Sequence, residues 1–254
     1  MFRNLSLFLL IIFLAIGTGY AQNAGTEAGE PNATAASAGE TITLKTDKGI
    51  SFKAYRAGPR GAKRGILLLH EWWGLNDSMR RWADYLGELG YRVIAIDLYN
   101  GKVADSTSQA KEYMLAVNQE AANAKHRAAL NALKAPGRKL IAMGWGFGGS
   151  QSLQAGFAEP NVVSAVVIYD GALPNDATAI KNLKAAVLGV FAKDTLPDGI
   201  KAFETAMKQA NKIVKLHFYP GSSDFSNPAA DRYRSEIMPA LWKETQTFLN
   251  KYVK

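Results

Sequence analysis

Apolar residues in this chain follow two rhythms. Five short runs, Ile66–Leu69, Val93–Ile96, Leu140–Met143, Ala165–Ile168 and Ala186–Phe191, are apolar without interruption. Unbroken runs of that length suit central strands covered on both faces by helices. Between them the spacing changes. Met79, Trp82, Leu86 and Leu89 recur every three or four residues behind an Asn76-Asp77-Ser78 cap, and an Ala-rich stretch from about Gln119 to Leu133 stops before Pro136. Leu241, Phe248 and Tyr252 mark one side of a last helix. Ahead of these, Thr41–Thr46 and Ile50–Arg56 read as a hairpin whose Asp47-Lys48-Gly49 loop puts glycine at the left-handed position. Lys212–Tyr219 is the last strand. No internal repeat is present. The expected fold class is α/β, a doubly wound and mostly parallel sheet with right-handed crossovers and an N-terminal β-hairpin. Ligand sites in such sheets lie beyond the carboxyl ends of the strands.

The first forty residues follow neither rhythm. Arg3, the apolar stretch Leu5–Ile16 and the small-x-small sequence Gly19-Tyr20-Ala21 predict a cleaved signal segment over 1–21, too short to span a bilayer. Residues 22–40 hold no large apolar side chain and read as a flexible linker, which leaves 41–254 as one folded domain. The expected location is secreted or periplasmic. With 254 residues and 48% hydrophobic composition the chain has enough material for a real core. Its formal net charge of +8 is spread over scattered Lys and Arg, without a nucleic-acid-binding motif. The expected partner is a small molecule, with no nucleic acid, no membrane after cleavage, and a monomeric chain. The chain has no cysteine, which excludes disulfides, zinc–thiolate sites and a thiol nucleophile.

Chemistry-bearing residues cluster at strand ends. His70-Glu71-Trp72-Trp73-Gly74-Leu75-Asn76 follows the first long strand, and Gly144-Trp145-Gly146-Phe147-Gly148-Gly149 follows another and opens a helix. Tyr169-Asp170-Gly171, Lys193-Asp194 and Tyr219-Pro220-Gly221-Ser222-Ser223-Asp224-Phe225 end three more. The glycine turn has two readings. Gly144, Gly146 and Gly149 spell G-x-G-x-x-G, with Asp170 about twenty residues on, as in a dinucleotide site. Alternatively the turn is a nucleophile elbow, with Gly146 at its centre.

From about Ile66 to Tyr252 the chain resembles the dienelactone hydrolase family of the α/β-hydrolase fold. The resemblance rests on His70–Asn76, the stretch Tyr91–Lys102, the elbow Gly144–Gly149, Ala192–Asp194, and Tyr219–Gly221 with Asn227-Pro228. It implies hydrolysis of carboxylic esters or lactones. In that family an elbow cysteine attacks the carbonyl, and a histidine in the turn after the last strand acts as base. An aspartate at the Asp194 position orients that histidine, and a glutamate at the Glu71 position interacts with the thiol. The backbone N–H groups at the Trp72 and Phe147 positions form the oxyanion hole.

This sequence keeps Glu71 and Asp194 but has Gly146 in the place of the nucleophile, and Asp224 or Ser223 in the place of the base. The expectation is a member with an incomplete triad that binds a small ligand, with His70, Trp73, Trp145, Tyr169 and Asp170 lining the site. Ser150 and Ser152 sit too far along the helix to stand in at the apex. His217 reads as a sheet histidine and His126 as a surface one. The first rival is a hydrolase using water activated by Glu71, Asp194 and Asp224, with or without a divalent metal; otherwise no cofactor is expected. The second is a nucleotide-binding module built on Gly144, Gly146, Gly149 and Asp170.

Overall fold

The computed structural model describes residues 38–174, 176–194, 199–222 and 234–254. The expected signal segment, nearly all of the linker, and Ser223, Asp224, Phe225, Asn227 and Pro228 lie outside the described residues. β1 (Glu40–Lys45) and β2 (Ser51–Ala57) form the hairpin, with Gly49 at φ +79°. β3 (Arg64–Leu69), α1 (Asp77–Glu88) and β4 (Arg92–Ile96) follow. Then come α2 (Thr107–Leu115), α3 (Gln119–Leu133), β5 (Lys139–Trp145) and α4 (Phe147–Ala158). β6 (Val163–Tyr169), α5 (Ala177–Asn182), β7 (Ala186–Ala192), α6 (Ile200–Gln209), β8 (Val214–Tyr219) and α7 (Met238–Tyr252) complete the chain.

The eight strands form one sheet in the order β1-β2-β4-β3-β5-β6-β7-β8, parallel from β4 to β8 and antiparallel at the hairpin. Strand alternation divides the core in two. Ile66, Leu68, Ile141, Met143, Val167 and Leu188 face the side of Trp82, Leu86, Leu241 and Phe248. Leu67, Leu69, Ala142, Val166 and Val187 face the side of Leu130, Leu133, Leu153 and Phe203. Both faces are covered, which is why these strands read as continuous apolar runs.

The structure departs from the sequence reading at three places away from the site. The end of the linker is held: the N–H groups of Ala38 and Gly39 donate to the Asp84 carboxylate at 3.1 and 2.8 Å, and Gly39 also donates to the Tyr55 hydroxyl. Glycine is what permits that approach, since a Cβ there would sit 2.5 Å from the Arg56 carbonyl oxygen. Leu89 is not on the buried face of α1; it caps the helix end, is 40% exposed, and precedes the turn at Gly90. His126 is not a surface residue. It lies one turn from Ala122 and Leu130 on the buried stripe of α3 and is fully inaccessible. Neither of its ring nitrogens finds a partner among the described residues. Polarity suggested the surface, but its place in the helical period put it inside.

Burial holds the His126 imidazole at about 3 and the buried His70 at about 4, both below the ordinary value of 6.5. Both bind a proton more readily in the unfolded chain, so their contribution to stability is present above pH 6.5 and is lost as pH falls towards these values. Each removes up to about 1.4 kcal/mol per pH unit in that window. Replacing His126→Leu eliminates one such proton and a buried imidazole with no partner. Urea unfolding between pH 7 and 4 should therefore show a flatter loss for the variant, with equal or greater stability at pH 7; an unchanged acid slope would contradict the assignment.

Candidate active site

The carboxyl ends of β3, β5, β6 and β7 stand side by side, in that order. Their register is level: Leu69 pairs with Gly144, Trp145 with Tyr169, and Tyr169 with Val190. At the end of β5 the chain turns sharply at Gly146, with φ +51° and ψ −116°, and enters α4 at Phe147. The Gly146 N–H is pinned to the Tyr169 carbonyl at 2.7 Å. A Cβ at Gly146 would have no neighbouring atom of the described residues within 4 Å, so on their side the apex is open. Two residues later the situation reverses. A Cβ at Gly148 would lie 2.2 Å from the Leu69 carbonyl oxygen and 2.6 Å from that of His70, and one at Gly144 would meet the Gly148 backbone at 2.5 Å. These glycines let the start of α4 press against the end of β3.

That contact sets the loop after β3 beside the elbow. The loop turns at Gly74 (φ +97°), whose N–H donates to the Glu71 carbonyl, and the Trp73 carbonyl accepts from the Ala104 N–H at 2.9 Å. His70 is the brace beneath it. Its Nδ1 lies 2.6 Å from the Glu71 carbonyl oxygen, and its Nε2 accepts from the Leu98 N–H at 3.1 Å. The two bonds fix one tautomer, with the proton on Nδ1. Tyr99 packs edge-on against the ring, and Phe147 lies beyond. His70 is therefore not a ligand-facing group as the sequence suggested: it is fully buried, and both nitrogens are used.

Trp145 and Tyr169 are also placed differently from the expectation. They stack at 4.9 Å inside the core, with Trp82 against Trp145, and the Tyr169 hydroxyl lies 2.8 Å from the Thr245 hydroxyl. Trp145 has the parity of Ile141 and Met143, which turns it towards the face covered by α1 and α7. Neither lines a pocket mouth. Trp72 and Trp73, 5.2 Å apart, are half-buried at the edge. Glu71 is buried, whereas Asp194 is exposed, with its N–H bonded to the Gly221 carbonyl. Asp170 has φ +54°, and its carboxylate accepts the Ala192 N–H at 2.8 Å, tying the end of β6 to that of β7.

Among the described residues the arrangement offers backbone hydrogen-bond donors, with glycine at the apex. Phe147 is the first residue of a helix, where backbone N–H groups have no intrahelical acceptor. The Trp72 N–H bonds to no carbonyl among the described residues. The serines behind the apex are engaged: Ser150 Oγ accepts from the Ala172 N–H at 2.9 Å, and Ser152 Oγ donates to the Gly148 carbonyl at 2.8 Å. Glu71 and Asp194 follow strands three inter-strand steps apart, about 14 Å along the sheet. Among the described residues no group of three or more His, Asp or Glu is placed to hold a metal ion. Two residues that the sequence reading did not single out also shape the site's surroundings. Asp97 holds the loop after β4 through the N–H groups of Tyr99 and Gly101, and Lys125 reaches the Asp97 carbonyl at 3.0 Å.

A sheet of this order with a sharp glycine turn between strand and helix defines an α/β-hydrolase fold. The model of the dienelactone hydrolase family matches residues 52–253, and the chain belongs to that family. A Saccharolobus solfataricus protein named "Putative carboxymethylenebutenolidase" is 23% identical over 249 residues, covering 81% of this chain and 96% of the relative. Among solved structures, a dienelactone hydrolase-like promiscuous phosphotriesterase, P91, from metagenomic libraries aligns with a TM-score of 0.73 at 19% identity. It covers 84% of this chain and 98% of that one. Another structure, titled m3DLH, aligns with a TM-score of 0.75 at 24% identity, with the same coverage.

The elbow geometry ranks two substitutions that each begin by adding a Cβ. Gly146→Cys enters open space and bears only the backbone strain, on the order of 1–3 kcal/mol. Gly148→Ala drives a methyl into the Leu69 carbonyl and should cost more. Urea denaturation gives the ranking, and the thiol introduced at 146 should react with a thiol reagent in the native protein. A thiol that reacts only after unfolding would contradict the open apex.

Proposed function

We propose that this member of the dienelactone hydrolase family binds a small oxygen-containing ligand at the elbow without covalent hydrolysis. The observation that carries the reading is the apex itself: Gly146 has no side chain, stands at φ +51° clear of every other described residue, and belongs to a chain without cysteine. Hydrolysis by the family's route needs a nucleophile beside a base, then fixed donors for the developing oxyanion. Only the last of these is supported here. The amides of Trp72 and Phe147 would hold a ligand oxygen, with Glu71, Trp73 and Asp194 around it.

Neither rival gains a specific observation. Water activation by carboxylates or a metal calls for oxygens gathered on one point, whereas Glu71 and Asp194 are separated by two strands. The nucleotide reading needs Asp170 on a ribose hydroxyl, but one of its oxygens accepts the Ala192 N–H. We further propose that the protein is exported, on the strength of Arg3, Leu5–Ile16 and Gly19-Tyr20-Ala21. N-terminal sequencing of the protein from its native host should then begin at Gln22, and a start at Met1 would overturn export.

The proposed role is tested by assaying purified protein against a panel of carboxylic esters and lactones, with and without chelator. No turnover above buffer is expected. The double variant Gly146→Cys, Asp224→His is expected to gain measurable turnover, because the open apex leaves room for the thiol. Saturable turnover by the unaltered chain, copurifying with it and insensitive to chelator, would reject the non-catalytic reading. Chelator-sensitive turnover would favour a metal-activated water instead.

A further inference from the structure

A second concavity lies away from the elbow, and it is built around a buried charge. The β1–β2 turn, the loop after β4 and the corner between α2 and α3 enclose a two-lobed cleft of about 310 and 490 Å³. Ile50, Asn118, Ala121 and Lys125 are common to both lobes. Clefts of this size are within the range that holds small organic ligands.

Lys125 is only 7% exposed, yet no carboxylate pairs with it among the described residues. Its ammonium donates to two neutral acceptors, the Asp97 carbonyl at 3.0 Å and the Asn100 side-chain oxygen at 2.8 Å, and lies 5.6 Å from the centre of the Phe52 ring. An ammonium carries three donors, so one remains. The Asp97 carboxylate is taken up by the N–H groups of Tyr99 and Gly101. Burial accordingly pulls the proton affinity of this amine down, and Asp97 offsets that only in part. A buried cation held by neutral groups gains from an anion placed against it.

The cleft's charge has the same sign. Its inner lobe includes Lys102 and Lys125 and no acidic residue. The outer lobe has two acids, and both are paired: Asp47 lies 3.6 Å from Arg127, and Glu120 lies 3.3 Å from Lys48. Apart from Asn100 and Asn118 the inner walls are otherwise apolar or aromatic, with Ile50, Leu98, Tyr99, Tyr113 and Val117, and Ile50 is more than half exposed at the rim. Lys102 is exposed, with its ammonium 5.0 Å from the centre of the Tyr113 ring, so Lys125 is the buried charge of this lobe, and one buried point charge suits a monoanion. A phosphate group would call for several donors or a guanidinium fork.

We infer that this cleft is an accessory site for a small aromatic monocarboxylate, its carboxylate on Lys125 and its ring against Ile50, Tyr113 and Val117. The site is separate from the elbow and does not depend on what the elbow does. Occupancy would also bridge the hairpin to the α2–α3 corner, because the lining residues come from both.

Benzoate is the probe. Titration of the protein by calorimetry, or by the ligand's proton resonances, should saturate at one equivalent with a Kd below about 10 mM, the weak end of specific binding. Benzamide, which lacks the charge, should bind at least tenfold more weakly, and inorganic phosphate should not compete. Lys125→Met should weaken benzoate at least tenfold. Because that change touches the buried network, Ala121→Trp is the second variant: it fills the cleft from the exposed side of α3, leaves the ammonium in place, and should also abolish binding. No saturation would overturn the proposal. So would equal affinity for benzamide, competition by phosphate, or benzoate binding that survives both substitutions and hence resides elsewhere, the elbow included.

Discussion

The close approach of α4 to the end of β3 organises the rest of the site. Gly148 lies so near the Leu69 and His70 carbonyls that a methyl there would overlap both, and Gly144 faces the same backbone from below. With the helix pressed this close, the chain has one residue in which to reverse from strand to helix. Gly146 takes that turn at a positive φ. The loop after β3 is drawn beside the helix start, and His70 fixes its depth through the Leu98 N–H on one side and the Glu71 carbonyl on the other. The amides of Trp72 and Phe147 are positioned by packing and by a buried imidazole, without help from any residue at the apex.

That independence separates scaffold from chemistry. The donors that would stabilise an oxyanion belong to the backbone and remain wherever the glycines and His70 hold it. A nucleophile would be a side chain at the apex, and the fold does not depend on one there, since no described residue packs against that position. Membership of a hydrolase family and a glycine at the elbow are thus compatible in one structure. Fold narrows what the site can be, but the atoms at the site determine what it does.

The sequence was most informative where burial is two-sided. β3 to β7 emerge as continuous apolar runs because helices cover both faces, and α3 begins and ends at the expected residues. Gly49 was legible because its turn calls for a left-handed residue, and Gly146 because the elbow motif places one residue at the apex of the strand–helix turn. Side-chain direction was harder to read. Trp145 and Tyr169 sit at strand ends, where aromatics suggest a pocket, yet their parity with Met143 and Val167 turns them into the core. His70 lies next to an acid in a functional-looking motif but serves as a brace, because both ring nitrogens meet backbone. His126 and Lys125 were obscured by their polarity: the same helical period that buries Ala122 and Ala129 carries them inward. Linear motifs record which residues reach the sheet edge. Which face each one takes depends on strand parity and on the helices packed against it.

On the proposed non-catalytic reading, nothing at the elbow forms a covalent bond to a substrate. The most direct measurement is intact-mass analysis after incubation with a β-lactone and a fluorophosphonate, reagents that acylate or phosphonylate activated serine and cysteine nucleophiles. The account predicts an unchanged mass with both, and no modified peptide spanning 144–152. A stoichiometric adduct on Ser150 or Ser152, lost when the protein is unfolded before labelling, would contradict it and place a working nucleophile beside the empty apex.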